Sequence, residues 1–136
     1  MRAVLDVNVI ISGLLSPRGA PARTLRAWLR GEFELVVSPA LLGELARALA
    51  YPKLAERITA TDIEELLELV SRTAVLLEDP PDPPPVRSAD PDDDYVISLA
   101  AAARAVIVSG DRHLTDLAGQ LPAYTPPQFL DLLDEQ

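Results

Sequence analysis

Short apolar segments alternate with helical segments along the whole chain, and this alternation restricts the fold more than any other feature. Strands are predicted at 2–11, FELVVS, AVLLE and AVIVS, with an edge strand near Ala123–Tyr124. The intervening segments predict helices at 21–30, at 39–50, after a cap at Thr61, at about 92–104 and from Pro126. Strands joined by helices form parallel sheets covered on both faces. The sequence therefore predicts an α/β fold of three layers, α/β/α, with a central parallel sheet of four to five strands.

The length and composition predict one domain spanning residues 1–136. A chain of 136 residues, 49% of them hydrophobic, can bury one substantial core but is too short for two. Residues 79–91 contain six prolines, which excludes a helix or a sheet interior there. We interpret this segment as a surface loop within the domain.

The chain contains no cysteine, which excludes disulfides, zinc–thiolate sites and thiol nucleophiles and fits a cytoplasmic location. Asp6 and Asn8 interrupt the N-terminal apolar run, so we expect a strand there and no signal peptide. No apolar stretch is long enough to cross a bilayer. The net charge of −9 argues against a broad phosphate-binding surface, but it is compatible with nucleic acid bound through metal ions.

Three separate carboxylates stand where ligands collect in parallel sheets, beyond strand ends and near helix starts. Asp6 lies in the first predicted strand, with Asn8 on the same face, and a buried ionised aspartate needs a partner or a metal. Glu44 lies in the second long helix, and Asp111 follows the strand AVIVS directly. Each has an ordinary explanation: a hydrogen-bonded core aspartate, a surface pair with Arg47, and a turn residue.

The stretch SADPDDDYVISLA adds four aspartates at the start of a predicted buried helix. Helix capping explains Asp90 or Asp92, because carboxylates are favoured near helix N-termini. It does not explain four. If the cluster converges with Asp6, Glu44 and Asp111, the carboxylates would repel one another unless a cation is bound, and all-oxygen ligands select Mg²⁺ or Mn²⁺.

Three pieces of sequence, in this order along the chain, make the protein resemble the PIN-domain ribonucleases. They are LDVNVIISGLLSPRG, SPALLGELARAL with its helical glutamate, and DPDDDYVISLAAAARAVIVSGDRHL with an acidic helix start and a serine-containing turn. The resemblance extends over nearly the whole chain and is closest to the PIN-family toxins of toxin–antitoxin systems.

The resemblance implies a metal-dependent endoribonuclease with four catalytic, metal-binding acids: Asp6, Glu44, Asp93 and Asp111. Asp93 is selected because the family places its third acid eighteen residues before the turn acid; Asp92 is the next candidate, and Asp94 is expected to face solvent. Asn8 and Ser109 match positions that support the acids by hydrogen bonding. The family also implies Mg²⁺ or Mn²⁺ as cofactor, RNA as substrate, a small antitoxin as partner, and a homodimer.

For several further residues the sequence is compatible with two roles. Arg18, Arg23 and Arg112 are candidate RNA contacts or plain surface charges, and His113 is expected at the surface near the mouth of the site. Leu25, Trp28 and Leu29 could form a dimer interface or pack in the core. The alternative function is a non-catalytic module of the same fold that binds metal, RNA or protein.

Overall fold

The computed structural model describes residues 1–136 and contains one five-stranded, fully parallel sheet. The strands are β1 (Arg2–Leu5), β2 (Glu34–Val37), β3 (Val75–Leu76), β4 (Val106–Val108) and β5 (Ala123–Tyr124). The helices are α1 (Val7–Leu15), α2 (Ala20–Leu29), α3 (Pro39–Leu49), α4 (Pro52–Ala55), α5 (Ala60–Thr73), α6 (Asp94–Ala103), α7 (Arg112–Thr115) and α8 (Pro126–Asp134). Helices flank the sheet, which confirms the predicted α/β/α class and strand number.

The strand order is β3-β2-β1-β4-β5, with β1 at the centre. Ala3, Val4 and Leu5 pair with residues 106–108 of β4, and all three are fully buried. The chain moves to one side of β1 through β2 and β3 and to the other side through β4 and β5. The point where this direction reverses lies between β1 and β4, and ligands of open parallel sheets bind beyond the carboxyl ends of such a strand pair.

The prediction for the N-terminus was wrong beyond Leu5. The expected strand 2–11 ends after four residues, and Val7–Leu15 form α1. A continuous apolar run does not distinguish a buried strand from a buried helix, because neither shows a polar face. Asn8 lies in the first turn of α1 and is exposed, whereas Asp6 is buried. The two side chains therefore do not share a strand face.

Two helix starts also differ from the prediction. Thr59, and not Thr61, caps α5, because its hydroxyl accepts a hydrogen bond of 3.1 Å from the N–H of Asp62. The helix expected from about residue 92 begins at Asp94, after one 3-10 turn at Pro91–Asp93. Asp90 caps that turn by accepting from the N–H of Asp92 at 3.0 Å, as predicted. The prolines of 79–91 form neither helix nor strand before Pro91.

The candidate interface residues are divided between core and surface. Trp28 is buried, Leu25 is half-buried, and Leu29 is 56% exposed. Core packing therefore explains Trp28, while Leu29 is accessible to a partner. None of the helices combines the length and the apolar character that crossing a membrane requires.

Candidate metal centre

A cleft of about 610 Å³ opens beyond the carboxyl end of the central strand β1, beside the start of α3, which follows β2. Its acidic wall brings together residues from the end of β1, from α3 and from the start of α6: Asp6, Glu44, Asp92 and Asp93. The cleft is also lined by other residues of α3 and of the turn that follows it, including Gly43, Arg47 and Tyr51. Residues far apart in the sequence thus meet in one depression.

Asp6 ends β1 and is only 6% exposed. Its Oδ2 accepts a hydrogen bond of 2.7 Å from the hydroxyl of Ser109, which is fully buried. Burial raises the pKa of the Asp6 carboxyl, while the Ser109 hydroxyl and the N–H groups of Asn8 and Val7 oppose the increase. Asp6 makes no ion pair with a basic side chain, so its charge is stabilised by neutral donors alone.

Asp93 is the most strongly perturbed acid of the cleft. Burial, together with the negative charges of Asp111, Asp6 and Asp90, raises the pKa of Asp93 to about 7. Its Oδ2 is buried and makes no hydrogen bond. A buried carboxylate oxygen without a donor costs free energy, which a bound cation would recover.

The prediction that Asp94 faces solvent was wrong. Its side chain is only 13% exposed, and its Oδ1 accepts a hydrogen bond of 2.9 Å from the N–H of Ser88. Arg87 also donates to its Oδ2 at 3.2 Å. Asp94 therefore holds the end of the proline-rich loop against α6. The exposed member of the cluster is Asp92, which lies on the rim of the cleft.

Asp111 caps the short helix α7 beside the cleft. Its Oδ1 accepts a hydrogen bond of 2.8 Å from the N–H of His113, and its own N–H donates to the Ser109 hydroxyl at 2.9 Å. Ser109 thus links Asp111 to Asp6. The negative charge of Asp111 contributes to the raised pKa of both Asp93 and Asp6, which places it close to both.

Glu44 lies on the cleft but is paired within its own helix. Its Oε2 accepts a hydrogen bond of 2.6 Å from the Arg47 guanidinium, in an ion pair whose side chains are 46% and 71% exposed. The surface pair considered from the sequence is therefore present, and Glu44 also lines the cleft.

One group of metal-ligating atoms differs from the predicted set of four. Asp90, Asp93 and His113 each place one such atom within 4.8 Å of the other two. No three of Asp6, Glu44, Asp93 and Asp111 meet that limit, and Glu44 binds Arg47 instead. Asp93 belongs to both sets. His113 is exposed, as expected, and lies beside the acids.

The predicted supporting residues behave differently from one another. Ser109 hydrogen-bonds Asp6 directly. The side-chain amide of Asn8 lines the cleft but makes no hydrogen bond to an acid; its contribution to Asp6 comes from its backbone N–H. A helix N-terminus supplies backbone donors at this place, which explains the difference.

The three candidate arginines do not line the cleft. Arg18 is exposed in the loop between α1 and α2, and Arg23 lines a separate hollow with Arg26 and Arg30. Arg112 is exposed in the first turn of α7, next to Asp111. The basic side chain on the cleft is Arg47.

Sequence reasoning missed three residues of the cleft wall: Arg47 as a cleft residue, Tyr51 and Tyr95. Burial and the charges of Asp6 and Glu44 raise the pKa of the Tyr95 phenol, so it stays protonated and can donate a hydrogen bond. The spacing of Glu44 and Arg47, three residues apart in α3, places them on one helix face and could have indicated that Arg47 lines the cleft.

Known proteins resemble this chain over nearly its full length. The family model described as PIN domain matches residues 2–113. The uncharacterized protein MJ1680 of Methanocaldococcus jannaschii is 27% identical over 142 residues, covering 96% of this chain and 90% of that protein.

Two solved structures share the fold. The crystal structure of PAE2754 from Pyrobaculum aerophilum matches with a TM-score of 0.64 and 20% identity, covering 100% of this chain and 91% of that one. FitAcB from Neisseria gonorrhoeae matches with a TM-score of 0.56 and 16% identity, covering 91% of this chain and 97% of that one. With the family model matching most of the chain, the parallel five-stranded sheet and the acidic cleft at its centre belong to a member of the PIN domain family.

Proposed function

We propose that this protein is a metal-dependent endoribonuclease that hydrolyses RNA phosphodiester bonds. The observation that carries the proposal is the meeting of Asp6, Glu44 and Asp93 in one cleft, with a buried Oδ2 of Asp93 that has no hydrogen-bond donor. Membership of the PIN domain family supports the same function. Residues 1–136 would act as a single domain.

The acids of the cleft suit a hard divalent cation, Mg²⁺ or Mn²⁺. Asp6, Glu44, Asp93 and Asp111 would hold it, and they supply only oxygen ligands, which such cations prefer. The unpartnered oxygen of Asp93 and the absence of an ion pair on Asp6 fit this assignment. When bound, the cation would lower the pKa of an attacking water and stabilise charge on the scissile phosphate.

The residues of the chain have distinct tasks in this proposal. The hydroxyl of Ser109 fixes the orientation of Asp6 by donating to its carboxylate. The same hydroxyl accepts from the N–H of Asp111 and so fixes the turn that carries Asp111. Asp93 is free to bind the cation or to orient the water, since its Oδ2 is not engaged within the chain. Tyr95 remains a neutral donor beside the acids. Asp90 and His113 extend the ligand set on the side of Asp93, with Asp92 on the rim.

The test is cleavage of single-stranded RNA by purified protein in EDTA, and after addition of Mg²⁺ or Mn²⁺. We expect no cleavage in EDTA, cleavage with either cation, and loss of cleavage in Asp6→Asn and Asp93→Asn. The matched control is Asp116→Asn, because Asp116 is an exposed aspartate that does not line the cleft. Cleavage in EDTA would contradict the proposal.

A non-catalytic module of the same fold is the second candidate, favoured by the ion pair that holds Glu44. A protein that binds Mn²⁺ in a calorimetric titration but cleaves no RNA under any of these conditions would establish that candidate.

We further propose that the protein acts as the toxin of a toxin–antitoxin pair and forms a homodimer. The resemblance of its three motifs to PIN-family toxins supports the first, and the exposed Leu29 on α2 supports the second. Expression of the wild-type protein should arrest the growth of the cells that produce it, and the Asp93→Asn substitution should abolish the arrest.

Light scattering of the wild-type protein and of Leu29→Glu would test the homodimer. A monomeric wild type excludes it.

A further inference from the structure

Part of the cleft lining differs in chemistry from the acids. Besides the carboxylates, the cleft is lined by Arg47, Ala48 and Tyr51, at the carboxyl end of α3 and the turn that follows. The proposed hydrolysis does not use these residues. They combine a cation and an aromatic ring, which are the two groups that bind single-stranded nucleic acid.

Tyr51 is the exposed aromatic side chain of the cleft. Its side chain is 66% exposed. The chain has only six aromatic residues in all, namely one Trp, three Tyr and two Phe. Its backbone is fixed on both sides. The N–H of Tyr51 donates to the carbonyl of Ala48 at 3.3 Å, and its carbonyl accepts from the N–H groups of Leu54 and Ala55 at 3.0 and 3.1 Å. The ring is therefore presented from a rigid corner between α3 and α4.

Tyr51 also separates two hollows. Beyond it lies a second depression of about 530 Å³, lined by Tyr51, Pro52, Lys53 and Leu54. Lys53 is the only lysine of the chain, is exposed, and makes no ion pair. Two cations thus flank Tyr51 along the chain: Arg47, which is paired with Glu44, and Lys53, which makes no ion pair.

Arg47 can bind a phosphate without leaving Glu44. A guanidinium has five N–H donors, and Arg47 uses one nitrogen for Glu44 while remaining 71% exposed. Its other donors are available to a phosphate oxygen in the bidentate geometry that arginine favours. Lys53 supplies a second cation two residues after the ring.

We propose that Arg47, Tyr51 and Lys53 form a subsite for single-stranded RNA next to the proposed catalytic acids. An unpaired base stacks on the Tyr51 ring, and the adjoining phosphates contact Arg47 and Lys53. The strand thus continues from the acidic end of the cleft across Tyr51 into the second hollow. This inference rests on the proposed function for its substrate. It predicts a preference for unpaired RNA, because the bases of a duplex are already stacked on one another.

The test is equilibrium binding of a fluorescein-labelled, single-stranded RNA hexamer of mixed sequence, measured by anisotropy in Ca²⁺, with intact RNA verified on a gel. Stacking on an aromatic residue is worth enough that Tyr51→Ala should weaken binding about ten-fold, whereas Tyr51→Phe should retain it. The same hexamer with abasic sites should bind the wild type and Tyr51→Ala equally. A duplex of the same sequence should also bind the wild type and Tyr51→Ala with equal affinity.

The matched control for the cation is Arg72→Ala. Arg72 also pairs with a glutamate of its own helix, Glu68, and is comparably exposed, but it does not line the cleft. Arg47→Ala should weaken hexamer binding, and Arg72→Ala should not, although each removes one positive charge. Circular dichroism melting of every variant verifies that it is folded.

The two proposals fail in different ways. If Tyr51→Ala binds and cleaves the hexamer as the wild type does, the subsite is refuted and the nuclease stands. If Tyr51→Ala weakens binding of the hexamer but not of its abasic form, and no variant cleaves RNA, the subsite stands and the nuclease is refuted. Equal weakening for the single strand and the duplex would also refute stacking.

Discussion

The hydroxyl of Ser109 donates a 2.7 Å hydrogen bond to Oδ2 of Asp6, across a sequence separation of 103 residues. The bond joins the carboxyl ends of the neighbouring central strands β1 and β4. It is completed by the N–H of Asp6, which donates to the carbonyl of Val108 at 2.9 Å. Asp6, at the end of β1, is thus held in position by hydrogen bonds with residues at the end of β4.

Ser109→Ala should destabilise the metal-free protein by about 1–3 kcal/mol, because it removes a donor from a buried carboxylate and leaves the N–H of Asp111 without its acceptor. Urea unfolding in EDTA measures the change. Ser71→Ala is the control: it also removes a side-chain hydrogen bond, to the carbonyl of Leu67, but on an exposed helix face. Equal effects of the two substitutions would contradict the role of Ser109.

Asp94→Ala should release the proline-rich loop from α6, because the carboxylate of Asp94 accepts hydrogen bonds from Ser88 and Arg87. We expect faster proteolysis within 79–91 and a free energy of unfolding lower by about 1–2 kcal/mol. Limited proteolysis and urea unfolding measure the two effects. Asp82→Ala, at an exposed loop position, should leave both unchanged; an Asp94→Ala loop as resistant as wild type would exclude this role.

The stability of the metal-free protein should fall as the pH rises from about 4 to about 7. The pKa of Asp93 is raised to about 7 in the folded chain, chiefly by burial, so the folded state holds a proton that the unfolded state has released. This contribution is complete below the unfolded pKa and is lost as the pH passes the folded one. The Asp93→Asn variant has no carboxyl group at this position, so this pH-dependent contribution to its stability is absent.

The difference in unfolding free energy between wild type and Asp93→Asn isolates this contribution from the general repulsion of an acidic chain. In EDTA, wild type should lose stability relative to Asp93→Asn between pH 5 and pH 8. Addition of Mg²⁺ at pH 8 should restore it. A difference that does not change with pH would show that Asp93 is unperturbed.

Arg47→Ala should tighten Mn²⁺ binding, because it removes a positive charge from the cleft and frees the Glu44 carboxylate from its 2.6 Å ion pair. We expect an affinity increase of up to about five-fold, in line with a surface ion pair worth up to ~1 kcal/mol. Isothermal titration of Mn²⁺ measures it. Arg72→Ala should leave the affinity unchanged, and an unchanged Arg47→Ala would show that Glu44 does not reach the cation.

The sequence predicted those parts of the fold where pattern and context agree. The strand ending before Ser109 has apolar residues on both faces and a turn after it, and β4 and Asp111 were placed correctly. The segment VNVIISGLL was misassigned because its helix is buried almost throughout its first half, so no polar face marks the period. Contacts with the rest of the fold determine that this segment is a helix.

The sequence predicted several of the acids that line the cleft, but not their partners. Counting positions led to Asp93, which the structure places in the cleft. Counting could not reveal that Asp94 is bonded to Ser88, because that contact depends on the path of the proline-rich loop. Nor could it reveal Tyr51, whose role depends on the cleft that α3 forms with α6.

The most direct measurement is the initial rate of single-stranded RNA cleavage as a function of Mg²⁺ concentration, for wild type, Asp93→Asn and Asp116→Asn. Wild type and Asp116→Asn should show the same saturable dependence on Mg²⁺, and Asp93→Asn should be slower by about 100-fold or more, as is typical when a group that stabilises the transition state is removed. If Asp93→Asn cleaves RNA as fast as Asp116→Asn, the acidic cleft at the end of β1 is not the site of hydrolysis.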